Sequence, residues 1–418
     1  MEIEIGRGKK ARRAYGFDEI AIVPSRRTRD PDDIDISWKL GDYRFELPLL
    51  ASAMDGVVSP RTAGLIGDLG GLAVLNLEGV FTRYEDADEQ LERIARLPKE
   101  QATRAMQEIY RAPVKPELIA QRVTEVKDQG VVVAASLTPQ RVRDHYELAL
   151  EAGLDVLVIQ GTVVSAEHVS QTTEPLNLKE FIREVGVPVV VGGCASYHTA
   201  LHLMRTGAAA VLVGVGPGEA CTTRGVLGIG VPQATAIADA AAARSQNMLE
   251  TGEYVKVIAD GGMRTGGDVS KAIACGADAV MLGSPLARAQ EAPGRGFHWG
   301  MATFHPSLPR GARVATVRNG TLREILTGPA HENDGTFNLF GALRASMATC
   351  GYKDIAEFNR AELMVAPALQ TEGKHLQSSQ GVGMGARGPA VTASENGGWE
   401  GDGNGDRPSE VDEAVALA

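Results

Sequence analysis

Eight short apolar runs recur along the chain at 45–54, 72–77, 131–137, 156–160, 188–193, 209–214, 255–260 and 279–283, with helical patterns between them. Runs that stay apolar without alternating belong to strands buried on both faces, and their alternation with helices marks repeated βα units around a parallel sheet. Five of the runs end in Gly or pass straight into Gly-containing loops. The pattern predicts an α/β chain folded as a (β/α)₈ TIM barrel, which suits eight such units better than an open sheet. Helical spans at 178–185, 199–206 and 267–275 supply the outer layer.

Roughly fifty residues separate the second and third runs, well above an ordinary βα connection. This insertion, 78–130, carries helical patterns at 85–97, 99–109 and 113–127 and is too short for another full domain. After the eighth run, 289–318 is rich in Gly, Pro and Arg, which predicts a mobile flap, followed by helical 321–326 and 340–349. Residues 389–418 hold seven acids, one base and a Gly-rich stretch. That composition predicts a disordered acidic tail, leaving 1–388 as one barrel domain.

A net charge of −11 argues against general nucleic-acid binding, which needs Lys and Arg against phosphates. No apolar run reaches the roughly 20 residues of a membrane span. Cys194, Cys221, Cys275 and Cys350 are widely spaced, without a C-x-x-C or Cys/His cluster, so neither a disulfide framework nor a structural zinc site is expected. A reducing cytoplasm is the expected location.

Active sites of such barrels lie at the C-terminal ends of the strands. The sixth run leads into Gly214-Val215-Gly216-Pro217-Gly218-Glu219-Ala220-Cys221-Thr222-Thr223-Arg224. Alternate glycines there can turn amides or carbonyls toward one point, holding an anion or a cation. A cysteine is most often a small buried hydrophobe. Past a Gly-rich turn among polar residues, Cys221 instead reads as a nucleophile. Cys194, past the fifth run, is expected to face the same site, Cys275 to pack within a helix, and Cys350 has no indicated function. Asp260-Gly261-Gly262 and Gly283-Ser284, after the seventh and eighth runs, read either as a phosphate cradle or as tight turns only. The Asp260 carboxylate suits a ribose diol better than a phosphate.

These motifs resemble the IMP dehydrogenase/GMP reductase family from about residue 6 to 385. Tyr15-Gly16-Phe17-Asp18-Glu19-Ile20 with Val23-Pro24 resembles its opening segment, and Ser52-Ala53-Met54-Asp55 with Val57 its purine site. The Cys221 loop resembles its catalytic loop; 259–262 and 281–284 resemble its ribose and phosphate sites. The resemblance implies that Cys221 adds to purine C2, that a hydride passes between that carbon and a nicotinamide, and that Thr223 assists the leaving water or amine. It implies a flap arginine that activates water, Arg310 first and Arg313 second. Ser52, Met54, Cys194, Asp260, Gly261, Gly262, Gly283, Ser284, Gly300 and Met301 would then contact substrate and Gln160 the cofactor. Carbonyls of Gly216, Gly218 and Cys221 would hold a potassium ion, with Glu372 and Gly373 contributed by a neighbouring subunit of a homotetramer.

Several positions depart from the family's pattern. Glu219 replaces a phosphate-contacting serine, Cys194 an asparagine near the purine, and Gln160 an acid that meets the cofactor ribose. Lys374 breaks the ion motif's second glycine, and the flap arginine lacks its tyrosine partner. The insertion cannot hold the family's paired regulatory nucleotide-binding modules, about 120 residues in all. The implied activity is oxidation of IMP to XMP with NAD and water, with reduction of GMP by NADPH, releasing ammonia, as the alternative. A non-catalytic purine-nucleotide sensor is the third reading. A sugar-phosphate aldolase or isomerase ranks last, because no lysine or paired acids stand past the strands.

Overall fold

A computed structural model describes residues 2–169, 175–300 and 313–366. Eight parallel strands close into a barrel in chain order: β1 (Leu49–Ala51), β2 (Leu72–Asn76), β3 (Ala134–Leu137), β4 (Val156–Gln160), β5 (Val189–Cys194), β6 (Ala210–Val213), β7 (Lys256–Asp260) and β8 (Ala279–Leu282). Closure runs through Val280 opposite Leu49 and Met281 opposite Leu50. Their side chains are almost wholly buried, as strands covered inside and outside require. The TIM barrel read from the sequence is therefore the fold.

Helices enter the outer ring at residues that stop a strand's pattern and cap the next helix. Asn177, Ser196 and Thr265 accept N–H groups at the starts of Leu178–Val185, Tyr197–Met204 and Gly266–Ala274. Leu339–Thr349 closes the ring against Gly266–Ala274.

The first and third strands are shorter than their apolar runs by three residues or more. In the first, Tyr43–Phe45 turns back to pair with Trp38–Leu40 as a separate antiparallel hairpin, and Pro48, which has no N–H, sits before β1. In the third, the Asp155 carboxylate takes the Val133 N–H at 2.9 Å, and the strand begins only at Ala134.

The insertion divides. Pro116–Lys127 packs between Pro60–Asp68 and Val142–Glu151, so it is the ring helix that follows β2. Only Ala87–Arg96 and Lys99–Ile109 are additional. They bury Leu91, Ile94 and Met106 in a small second core with Val80, Phe81, Tyr110 and Trp299. The flap region meets this core at its base, where Phe297–His298 pairs antiparallel with Val314–Ala315. The expected tail lies outside the described residues. Among the described residues no helix is long and apolar enough to cross a membrane.

Candidate functional site

A cavity of about 770 Å³ opens at the C-terminal ends of the strands. Its wall includes Ser52 and Met54 past β1, Gln160 at the end of β4, and Gly216, Gly218, Cys221 and Thr223 past β6. Asp260, Gly261 and Gly262 at β7, Gly283 and Ser284 past β8, and Gly300 complete the set of expected residues that it gathers. Residues distant in sequence converge because each follows its own strand. A Cβ on Gly283 would lie 2.8 Å from Met54 Sδ, so a side chain there would have to displace the Met54 thioether.

Cys221 is exposed, and its Sγ lies 3.2 Å from Thr223 Oγ1. The loop is braced from within, as the Cys221 N–H donates to Gly218 O at 3.0 Å. Thr223 starts the short helix Thr223–Leu227 and is itself buried. The arrangement presents one sulfur to the cavity with a hydroxyl fixed beside it.

The other thiols are structural. Cys194 is 1 % exposed and its Sγ donates to Leu212 O at 3.4 Å. Burial pushes it up to about 12, and it does not line the cavity. The expectation that Cys194 faces the site is thus not met: at the end of β5 its side chain is buried, with Sγ turned to the backbone of β6 at Leu212. Cys275, as expected, is buried, and burial pushes it too up to about 12.

Asp260 is the most perturbed acid of the cavity. Burial raises its carboxyl to about 7, opposed by a hydrogen bond from Gln160 Nε2 at 3.2 Å. The Gln160 Oε1 atom is buried with no partner, leaving an acceptor beside the cavity. From behind, Gln233 Nε2 donates to Val213 O at 2.7 Å and Asp260 O at 3.0 Å, tying the ends of β6 and β7 together.

A family model described as "IMP dehydrogenase / GMP reductase domain" matches residues 14–375. The chain belongs to this family. It is 49 % identical over 372 residues to an uncharacterized oxidoreductase of Mycolicibacterium smegmatis, covering 87 % of this chain and 99 % of that protein. An inosine-5'-monophosphate dehydrogenase of Methanocaldococcus jannaschii is 26 % identical over 87 % of this chain and 95 % of its own. The crystal structure of an IMP dehydrogenase/GMP reductase-like protein from Corynebacterium glutamicum superimposes with a TM-score of 0.83 at 46 % identity. It covers 87 % of this chain and 97 % of that one. The family branch is the one without paired regulatory modules, in agreement with the two additional helices of the insertion.

Within the family framework, three features escaped the sequence reading. Arg264 and Asp18 also line the cavity, the first only two residues beyond the Gly261-Gly262 turn. Arg313 is committed to the insertion: its guanidinium donates to Ile94 O and to Leu97 O, the latter at 2.6 Å, and sits 4.0 Å over the Phe297 ring. It caps the C-terminal end of Ala87–Arg96 and does not line the cavity. Arg313, expected as the second flap arginine, is here placed as a clamp on that helix end. The third feature is a buried hydrogen-bonded chain joining Trp299, Tyr110 and Asp55. Met301, Arg310, Glu372, Gly373 and Lys374 lie outside the described residues.

Proposed function

We propose that the chain is a purine nucleotide oxidoreductase of the IMP dehydrogenase type, converting IMP, NAD and water to XMP and NADH. The observation that carries this reading is Cys221 Sγ, exposed at the cavity with Thr223 Oγ1 at 3.2 Å. Thr223 can accept a hydrogen bond from the thiol or donate one to the thiolate, steadying the nucleophile as a bond forms to purine C2. A nicotinamide, when bound, supplies the acceptor for the hydride that leaves C2. The resulting thioimidate is released when water adds at C2 and the sulfur departs. Asp260 would accept the ribose hydroxyls, while Ser52, Met54, Gly261, Gly262, Gly283, Ser284, Gly300 and Met301 would surround base and phosphate. Arg310 is the proposed water-activating group.

Gln160 stands where the cofactor would meet the wall, and its unpartnered buried Oε1 fits a ligand donor. Carbonyls of Gly216, Gly218 and Cys221 are the right kind of donor for a potassium ion. Lys374 breaks the ion motif's second glycine, so a weak potassium response is expected. Glu372 and Gly373 of a neighbouring subunit would complete that site in a cytoplasmic homotetramer without nucleic-acid or membrane partners.

The test is NADH absorbance on mixing the protein with IMP and NAD, with and without potassium. No signal in either condition overturns the assignment. One observation favours the second reading, GMP reductase: with Arg313 occupied at the helix end, fewer arginines remain for a water step that the reductase direction does not use. Loss of NADPH absorbance on adding GMP would establish it.

A further inference from the structure

Behind the cavity wall lies a side chain that no motif called for. His298 is 0 % exposed, and both of its ring nitrogens are engaged. Nε2 lies 2.9 Å from Ser284 Oγ, and Nδ1 lies 2.7 Å from Thr316 Oγ1. Ser284 lines the cavity. Thr316 follows the second strand of the ribbon at the flap base and is fixed by its own N–H to Gly296 O at 2.8 Å. The backbone at His298 runs close against the loop past β1, where a Cβ on Gly56 would lie 3.1 Å from His298 Cα.

A neutral imidazole carries one N–H and one lone pair. Of the two neutral tautomers, one has Thr316 O–H donating to Nδ1 and Nε2–H donating to Ser284 Oγ, which turns the Ser284 proton outward; the other has Nδ1–H donating to Thr316 and Ser284 O–H donating to Nε2. An anion resting on Ser284 favours the first, in which all three donors point toward it. Burial holds the imidazole below its ordinary pKa, opposed by the charge of Glu219, which agrees with a neutral ring in this relay. Glu219 also lines the cavity and, near enough for its charge to act on His298, repels an anion, so a firmly held donor on Ser284 matters more.

We propose that His298 is a positioning residue for the phosphate of a purine nucleoside monophosphate, holding the Ser284 hydroxyl as a donor into the cavity through its bonds to Ser284 and Thr316. The inference rests on the nucleotide reading above and adds the group that would enforce preference for nucleotide over nucleoside.

Calorimetric titration of the full chain with IMP and with inosine separates the two. The wild type should favour IMP strongly. His298→Phe, similar in bulk but without ring nitrogens, should lose roughly 10- to 100-fold of IMP affinity, the range for a hydrogen bond to a charged group, with inosine affinity unchanged. Thr316→Val leaves the ring in place and should lose less in the same direction, which guards against a misfolded first variant. IMP preference retained in both variants overturns the role of His298 while the nucleotide reading stands. A wild type that binds inosine as well as IMP overturns the nucleotide reading itself, and the proposal with it.

Discussion

Tyr110 donates its hydroxyl to Asp55 Oδ2 at 2.5 Å, joining the end of the insertion to the residue that follows the substrate-side turn past β1. The Tyr110 hydroxyl oxygen in turn receives Trp299 Nε1–H at 2.6 Å, and Asp55 Oδ2 also takes the Val80 N–H at 2.9 Å. All of these groups are buried. The insertion thus holds two walls of the cavity at once, the 52–54 turn and the segment entering the flap. Tyr110→Phe would strand the Trp299 donor and leave Asp55 with only Val80. A buried donor without a partner costs about 1–3 kcal/mol, and urea unfolding should show a loss of that size. An unchanged urea midpoint would mean that the chain contributes nothing.

Arg313 clamps the opposite strand of the flap base to the C-terminal end of Ala87–Arg96. Arg313→Ala removes two charge-assisted bonds to helix-end carbonyls and the contact with Phe297, and should lower stability by about 1–3 kcal/mol. Turnover per folded molecule should be retained. A variant of normal stability whose kcat collapses would return Arg313 to the water-activating role.

The sequence made the barrel legible because strands buried on both faces cannot hide their apolar runs, and the exposed cavity thiol Cys221 legible because a Gly-rich loop announced it. Cys194 misled, since the register of β5 decides which way its side chain points, and register is not written in a run of Val and Gly. His298 and Tyr110 were missed for a different reason. Each acts through partners 14 to 189 residues away in sequence, and only the closed barrel brings them together. The aromatic triplet Phe297-His298-Trp299, set in a stretch otherwise rich in Gly, Pro and Arg, was the one local sign that this segment enters a core.

Asp260 gives stability a defined pH dependence. Its folded-state pKa is raised by burial to about 7, above the ordinary carboxylate value. Between the two values the folded chain keeps a proton that the unfolded chain has released, so stability falls as pH rises through that window. The slope is at most about 1.4 kcal/mol per pH unit. Asp55, raised to about 6, adds to the same trend. Urea midpoints at several pH values from 4 to 8 should decline for the wild type and decline less for Asp260→Asn; identical slopes would remove Asp260 as a source. Ribose hydroxyls donating to Asp260 favour the carboxylate, so nucleotide binding near neutral pH should release a proton, measurable by calorimetry in buffers of different ionisation enthalpy.

Reactivity of the four thiols should follow their surroundings rather than their number. Alkylation by iodoacetamide proceeds through the thiolate and needs room for the reagent. Cys221 stands exposed at the cavity beside the Thr223 hydroxyl. Cys194, Cys275 and Cys350 are buried, and burial raises the pKa of each. The native chain at mild alkaline pH should therefore take up one equivalent, located on Cys221 by peptide mapping, with the other three modified only in denaturant. IMP should slow that single reaction by covering the sulfur, and Cys221→Ser should abolish both labelling and turnover while leaving the urea midpoint within about 0.5 kcal/mol of wild type, as for an exposed position. Labelling of Cys194 at a comparable rate in the native chain would mean that β5 presents its terminal thiol to the cavity after all, and labelling of Cys221 that IMP does not slow would separate the sulfur from the nucleotide site.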